Sequence, residues 1–551
     1  MVDTIYHSLS LTHSNLQFLY ITLYFGGTIR KNMELYIFLE KMRVKRFFKK
    51  LLKEEHPPFE KAATEDDLLK KKQIDSSLAD TMELFKKIYY VPNNSDVNIR
   101  YIEIGGIKKN AAVITISSIS NTKLIEELVI RPLLINEDES KEIELLLSPQ
   151  VRKADVIEDI LVEINNGNTT LFVDGEPYAY IISSGNFQGR SVEKAENEVV
   201  VKGPKESFNE QAMTNISLIR KRIRDEKLIV ESTTISKRAK NELYLVYIKD
   251  IANEELITNI KNKLNSLDID SIQNLSVLEE YLEDHIYSLF PTILYTERPD
   301  RASEFIEDGF IVLLMDNSPD SLILPATFWS FFHNSEDHYL RFLFGNFIRI
   351  LRLMALFITL FISAIYIAIT NYHVEMIPAD LLLAISSTRE IVPFPSLVEI
   401  LMLEIAFELI REGGLRVPKP IGPTIGIVGA LILGQAAVQA NLVSPLVVII
   451  VALGGLSSFA IGDTNLNYTV RLLRFPFLIS AGVFGLFGLT ALFTICLLYV
   501  TSIKSFGVPY LAPMTPNDST AKDTIFRRLV KNELFRPGYL KPKDIEKKAG
   551  E

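Results

Sequence analysis

The sequence predicts an α/β soluble N-terminal region of two subdomains followed by an all-α polytopic membrane domain. Three observations lead there. First, the composition of the 551-residue chain divides: Lys, Glu, Asp and Asn abound up to about Arg352, residues 353–500 are mostly apolar, and the chain beyond Met514 is polar and basic again. Second, strand-type and helix-type patterns alternate through the polar part. Third, the apolar part holds stretches close to the ~20 residues that a helix needs to cross a bilayer.

The arm, residues 1–74, is expected to be disordered or helical. "LQFLYITLYFGGTI" is short for a span, follows no basic region and precedes no A-x-A site, so it does not read as a secretory signal. A start at Met33 or Met42 is the alternative. "MRVKRFFKKLLKEE" (42–55) is basic and amphipathic, as suits either a lipid surface or a solvated helix.

The first subdomain is placed at 75–205. "VNIRYIEI" (97–104) and "AAVITISS" (111–118) are rich in β-branched residues and read as strands; "NTKLIEELVIRPLLI" and "ADVIEDILVEINNGN" repeat apolar residues at helical spacing. "TTLFVDGEPYAYIIS" (169–183) reads as a hairpin turning at Asp174-Gly175. The second subdomain, 206–335, runs helix, strands, helix, then "PTILYTERPDRASEFIEDGFIVLLMD".

Neither subdomain shows a phosphate-binding glycine loop, H-E-x-x-H, G-x-S-x-G or a Cys/His cluster, so no enzyme, cofactor or metal site is expected. Glu304 and Asp308 read as a solvated helix face. The lone Cys496 excludes an intrachain disulfide, and a formal charge of −9 with no recognisable motif argues against nucleic-acid binding.

The membrane domain is placed at 340–512, with spans at 349–370, 421–440, 444–461 and 475–501 and a basic cytoplasmic tail at 513–551. Between the first two spans, Glu404, Glu408, Arg411 and Glu412 form one stripe of an otherwise apolar helix, so 396–412 reads as interfacial or re-entrant. Arg341, Arg349 and Arg352 before the first span put the soluble region on the cytoplasmic side. Both ends inside require an even number of crossings, although Arg416, Lys419, Arg471 and Arg474 then lie outside.

"PIGPTIGIVGALILGQAAVQANLVSP" (420–445) is an unusual span. At 100° per residue, Gly422, Gly426 and Gly429 gather on one side with Ala436 and Ala440, where small residues allow close helix packing in lipid. Thr424, Val428, Leu431, Gln435 and Gln439 form the opposite stripe, which must meet protein or water. In a ring of copies the glutamines would line a polar mouth, Val428 and Leu431 a dewetting constriction, and Glu404, Glu408 and Glu412 a cation-attracting vestibule. The same pattern suits a bundle that conducts nothing, in which each Gln bonds to a neighbouring helix.

"PFPSLVEILMLEIAFELIREGGLRVPKPIGPTIGIVGALILGQAAVQANLVSPLVVIIVALGGLSSFAI", "RLLRFPFLISAGVFGLFGL" and "SFGVPYLAPMTP" resemble the A-subunit family of GerA-type spore germinant receptors. "NNGNTTLFVDG" and "VVVKGPKESFNEQAMTNISLIRKRI" extend the resemblance over about residues 75–515. It implies two α/β subdomains facing the spore core, a multi-pass location in the spore inner membrane, and action beside a transporter-like B subunit and a lipoprotein C subunit. It further implies homo-oligomerisation into a nutrient-gated monovalent cation channel, so that the pore reading of 421–440 is favoured. Rival expectations are a transporter subunit with its site in 377–420, and a non-conducting membrane scaffold.

Overall fold

The computed structural model describes residues 69–138, 143, 151–187, 195, 198, 200–416, 434–518 and 523–547. Its polar half holds two five-stranded sheets. In the first, α1 (Leu78–Tyr89) precedes β1 (Val97–Glu103) and β2 (Asn110–Ile116); α2 (Thr122–Ile125) continues through a π-helical turn into α3 (Arg131–Ile135). Then come β3 (Val151–Ala154), α4 (Ile157–Asn165), β4 (Thr169–Val173) and β5 (Ala179–Ile182). The second sheet follows α5 (Ala212–Arg222) as β6 (Leu228–Ile235) and β7 (Asn241–Ile248), then α6 (Glu254–Asn265), α7 (Leu275–Leu282) and β8 (Leu294–Thr296). It ends with α8 (Pro299–Glu307), β9 (Ile311–Met315) and β10 (Ser321–Leu324).

The spatial orders are β1-β2-β4-β5-β3 and β6-β7-β9-β10-β8, and every pairing is antiparallel. The two subdomains are therefore one structural motif used twice. The hairpin expected over 169–183 closes at Gly175, whose φ of 84° only glycine adopts without penalty; in the second copy Asn317 takes the left-handed position at φ 64°. Both sheet faces are covered by helices, which is why β4, β5, β9 and β10 are buried at every residue. In the second copy Val312 and Leu314 meet α5 and α8, while Ile311, Leu313 and Met315 meet α6 and α7.

The two copies are riveted through a buried joint, with Arg224 reaching Asn166 at 2.8 Å beside it. Arg220 of α5 pairs with Asp96 at 2.5 Å, both at most 2% exposed, and Asn94 and Ser95 exchange hydrogen bonds with the backbone of Leu228 and Val230.

Short helices α9 (Phe328–Phe332) and α10 (Glu336–Tyr339) lead into the apolar half: α11 (Phe342–Tyr372), α12 (Ala379–Arg389), α13 (Ser396–Arg416), α14 (Pro445–Ser458) and α15 (Thr464–Ser502). Among the described helices, α11 and α15 are long and apolar enough to cross a membrane; α14 is shorter, and α13 lies within the chain region expected at an interface. The segment expected as one span at 475–501 is instead parts of two antiparallel arms. At Gly485 φ is 63° and ψ −146°, outside the helical region. Phe361 of α11 has its ring 5.1 Å from Phe477 and 5.4 Å from Phe493. In a straight helix those two residues would stand ~24 Å apart, so α15 folds back on itself. The turn sits against the end of α11, where the Tyr372 hydroxyl donates to the carbonyls of Gly482 and Val483, both at 2.8 Å.

Both ends of the α15 hairpin meet the second subdomain. Thr469 donates to the carbonyl of Leu289, Tyr499 packs against Phe290, and Ser505 donates to the carbonyl of Thr292 at 2.6 Å. The tail returns there too: Leu540 is buried in the core that α5, α8 and α15 share, Lys543 N–H donates to Ile251, and Lys547 pairs with Asp308 at 2.8 Å. Residues 523–547 are thus a docked strap, more ordered than the basic tail the sequence suggests.

Candidate functional site

The apolar half contains a buried charge network built on α13. Glu404, Glu408 and Arg411 recur at helical spacing and so share one face. The first arm of α15 presents Arg471 and Arg474, likewise one turn apart. Glu404 is fully buried; it pairs with Arg474 Nη1 at 2.7 Å and accepts from Ser363 Oγ of α11 at 2.7 Å. Glu408 pairs with Arg474 Nη2 at 2.9 Å, with Arg471, and with Arg411 at 3.8 Å. Arg411 also donates to Ser458 Oγ of α14 at 2.6 Å and to the Gly455 carbonyl at 3.1 Å, and its guanidinium lies over Phe459 at 4.5 Å. One cluster therefore ties α11, α13, α14 and the first arm of α15 together. Small residues make the approach possible: a Cβ at Gly455 would stand 2.5 Å from Phe407, and Gly454 accepts from Thr359 of α11 at 3.4 Å.

Of the three carboxylates expected to line a vestibule, Glu404 and Glu408 thus face other helices of the same chain, and Glu412 is exposed. Gln435 and Gln439 are exposed too, one turn apart on the helical stretch 434–439. Thr424, Val428, Leu431, Gly422, Gly426 and Gly429 lie outside the described residues. Sequence reasoning saw the Glu/Arg stripe but assigned Arg471 and Arg474 only to a membrane side. The available signal was chemical: "RLLR" puts two cations on one face of an apolar helix, and "EIAFELIR" puts two anions on another. Charges in so apolar a setting seek each other.

A second cluster sits where α11 leaves the soluble half. Asp337 of α10 binds Arg349 at 3.0 Å and Arg352 at 3.0 and 3.1 Å. Asp523 of the strap reaches the other side of Arg349, and Arg527 donates to the carbonyls of Asp337 and His338 at 2.9 Å. Burial pushes His333 down to about 4, with Arg349 adding to the effect, so its imidazole is neutral; its Nε2 meets the Thr524 carbonyl at 2.6 Å. Against the opposing effect of burial, Asp523 and Glu304 hold His338 above the usual histidine range. Burial likewise opposes the ionisation of Asp337 and Asp523. Arg352 and Arg349 nevertheless hold Asp337 below the ordinary carboxylate range; for Asp523 the protonated form of His333, together with His338 and Arg349, does the same. The base of the first long helix is thereby clamped between a subdomain and the strap. Among the described residues no group of His, Cys, Asp and Glu is arranged to hold a metal ion.

A family model described as Bacillus/Clostridium GerA spore germination protein matches residues 83–539. The chain belongs to the GerA family of spore germination proteins. It is 39% identical over 463 residues to Spore germination protein KA of Bacillus subtilis (strain 168), covering 82% of this chain and 85% of that one. It is 34% identical over 480 residues to Spore germination protein GerLA of Bacillus cereus, covering 86% and 97%. The crystal structure of the N-terminal domain of the A subunit of the Bacillus megaterium spore germinant receptor GerK3 matches at 28% identity and a TM-score of 0.37, covering 47% of this chain and 98% of that one. This GerA-family chain is of the A-subunit type, as its motifs over residues 75–515 imply, with two α/β subdomains ahead of a mostly helical, apolar half.

Proposed function

We propose that this chain is the membrane subunit of a nutrient germinant receptor and that copies of it assemble into a ring conducting monovalent cations when nutrient binds. Its partners are a transporter-like B subunit, which reads the nutrient, and a lipoprotein C subunit. The assembly occupies the spore inner membrane with the α/β subdomains toward the core. Family membership supports the receptor role. The observation that carries the membrane reading is that α11 departs from the second subdomain and the chain after α15 returns to it, at Ser505 and again in the strap. Soluble region and tail then share one side, and the number of crossings between them is even whatever path residues 373–463 take.

Within the ring, Val428 and Leu431 form the constriction, Thr424, Gln435 and Gln439 line the path beside it, and Gly422, Gly426 and Gly429 are the sliding contact. The exposure of Gln435 and Gln439 on one helical face supports this lining. Glu412 keeps the vestibule role; Glu404 and Glu408 set the helix packing that nutrient binding shifts. A ligand moves such an equilibrium only through its different affinity for the two packings.

The test replaces Val428 by Ala in dormant spores. A smaller side chain eases wetting of the constriction, so spores should lose potassium and dormancy without nutrient. Full retention of both, with wild-type amounts of the protein present, would remove Val428 from the gate.

A further inference from the structure

We infer that the loop 285–289 of the second α/β subdomain is a lipid-interface anchor, inserting Ile286, Tyr287 and Leu289 into the headgroup–acyl boundary of the bilayer; the inference rests on the membrane reading above. These three side chains are 60%, 100% and 41% exposed, the highest run of exposed large apolar side chains in that subdomain's loops. Val277 and Tyr281, a helical turn apart on α7, extend the same kind of surface toward it.

Position identifies what covers the loop. Leu289 accepts from Thr469, and Phe290 lies 6.3 Å from Tyr499, so the loop touches both arms of the α15 hairpin near their subdomain ends. Thr469 is five residues into α15, ~7.5 Å along the helix axis. The loop therefore reaches past the helix ends toward the apolar stretch that begins at Phe475. At the same level the hairpin itself exposes Tyr468, Leu472, Leu498 and Tyr499. Aromatic and aliphatic side chains at this depth match the interfacial zone of a bilayer, where tyrosine keeps its hydroxyl in water and its ring in the boundary.

The loop is also built to hold its shape. Ser288 N–H donates to the His285 carbonyl at 2.8 Å, Phe290 N–H donates to Ser288 Oγ at 3.1 Å, and Glu283 accepts from Thr292 N–H and Oγ1 at 3.2 Å. An ordered turn loses little conformational freedom on insertion. Its charged surroundings decide the kind of lipid contact. Glu279, Glu280, Glu283 and Asp284 precede it, with Lys263 pairing to Asp284, so attraction to anionic headgroups is not the driving force. Burial of apolar surface is, and a zwitterionic bilayer suffices.

The experiment places a spin label at Tyr287→Cys in full-length protein carrying Cys496→Ala, reconstituted in phosphatidylcholine nanodiscs. Collision rates are read with oxygen, which favours lipid, and with a water-soluble nickel chelate. Tyr101→Cys in the first subdomain serves as the aqueous reference and Ile495→Cys in the second arm of α15 as the lipid reference. The expected result is an oxygen-to-nickel ratio at position 287 between the two references, with Ile286→Cys giving the same answer. A ratio at 287 and 286 equal to that at 101, while 495 reads lipid, overturns the anchor alone. A label at 495 that reads as aqueous overturns the membrane reading on which the anchor rests. Strong spin–spin broadening at 287, without the lipid signature, would give the surface to a second copy of the chain and also overturn the anchor.

Discussion

Replacing Arg474 by Met should destabilise the apolar half far more than replacing Glu404 by Leu, and the two together should cost less than their sum. The asymmetry follows from the partners each change leaves behind. Without Arg474, the fully buried Glu404 keeps only the Ser363 hydroxyl, an almost uncompensated charge, and the expected loss is about 3–5 kcal/mol. Without Glu404, Arg474 still binds Glu408 at 2.9 Å, so the loss should be nearer 2 kcal/mol, the scale of one charge-assisted hydrogen bond. The double variant places two apolar side chains of similar volume where the pair stood, and Glu408 retains Arg471. Its coupling energy should therefore be at least ~2 kcal/mol in the compensating direction. Reversible unfolding of the purified full chain in mixed micelles measures all three. Additive losses, or a Glu404 variant as damaged as the Arg474 variant, would refute the network as drawn.

Gly485→Ala should cost about 1–3 kcal/mol, since the backbone at φ 63° and ψ −146° is reserved for glycine and a Cβ would stand 3.0 Å from Tyr372; Gly413→Ala, in the last turn of α13 with open space around its Cβ, should be neutral or gain up to ~0.5 kcal/mol. Equal melting temperatures for the two variants would remove the hairpin turn. The clamp at the base of α11 should respond to pH in two separate windows. His333 is depressed to about 4, so the unfolded chain binds its proton first and stability should fall as pH drops from ~6.5 toward 4; His333→Gln should flatten that limb. His338 is raised, so its contribution is full below ~6.5 and is lost as pH rises through its folded pKa. Melting curves of His338→Gln that still decline on that alkaline side would contradict the assignment. Arg220→Ala should loosen the joint between the subdomains by about 1.5–3 kcal/mol, because Asp96, 1% exposed, loses its cation and keeps only the Ser118 N–H and Oγ donors, and increased proteolysis near residues 200–210 would report it.

The strands and helices of the soluble half were legible because their apolar periodicity is local, and the turn at Asp174-Gly175 announced itself by residue type. The twofold repetition was not, because equivalent positions share burial and not identity: Gly175 in one copy corresponds to Asn317 in the other. The hairpin in α15 escaped because both arms are apolar on either side of the turn, so "SAGVFGLFGLT" reads as one continuous span. Only the φ of Gly485 breaks it, and hydropathy is blind to a single backbone angle. Glu404, Glu408 and Arg411 could be seen as a stripe, whereas their partners on other helices lie 41 to 70 residues away. Pairing at that distance is set by tertiary packing. The strap was hidden for a related reason: Arg527, Lys543 and Lys547 look like solvated charge until their carbonyl and carboxylate partners on α10 and the second subdomain are known.

The most direct test of the channel account is potassium efflux from liposomes containing the purified chain at known oligomeric mass, wild type beside Val428→Ala, each with and without the two partner subunits and nutrient. A channel gated at Val428 gives a ring-sized assembly, nutrient-dependent efflux from the wild-type complex, and efflux without nutrient from Val428→Ala. A folded, ring-sized complex that releases no potassium with nutrient, in either form, would contradict it and leave the chain a scaffold.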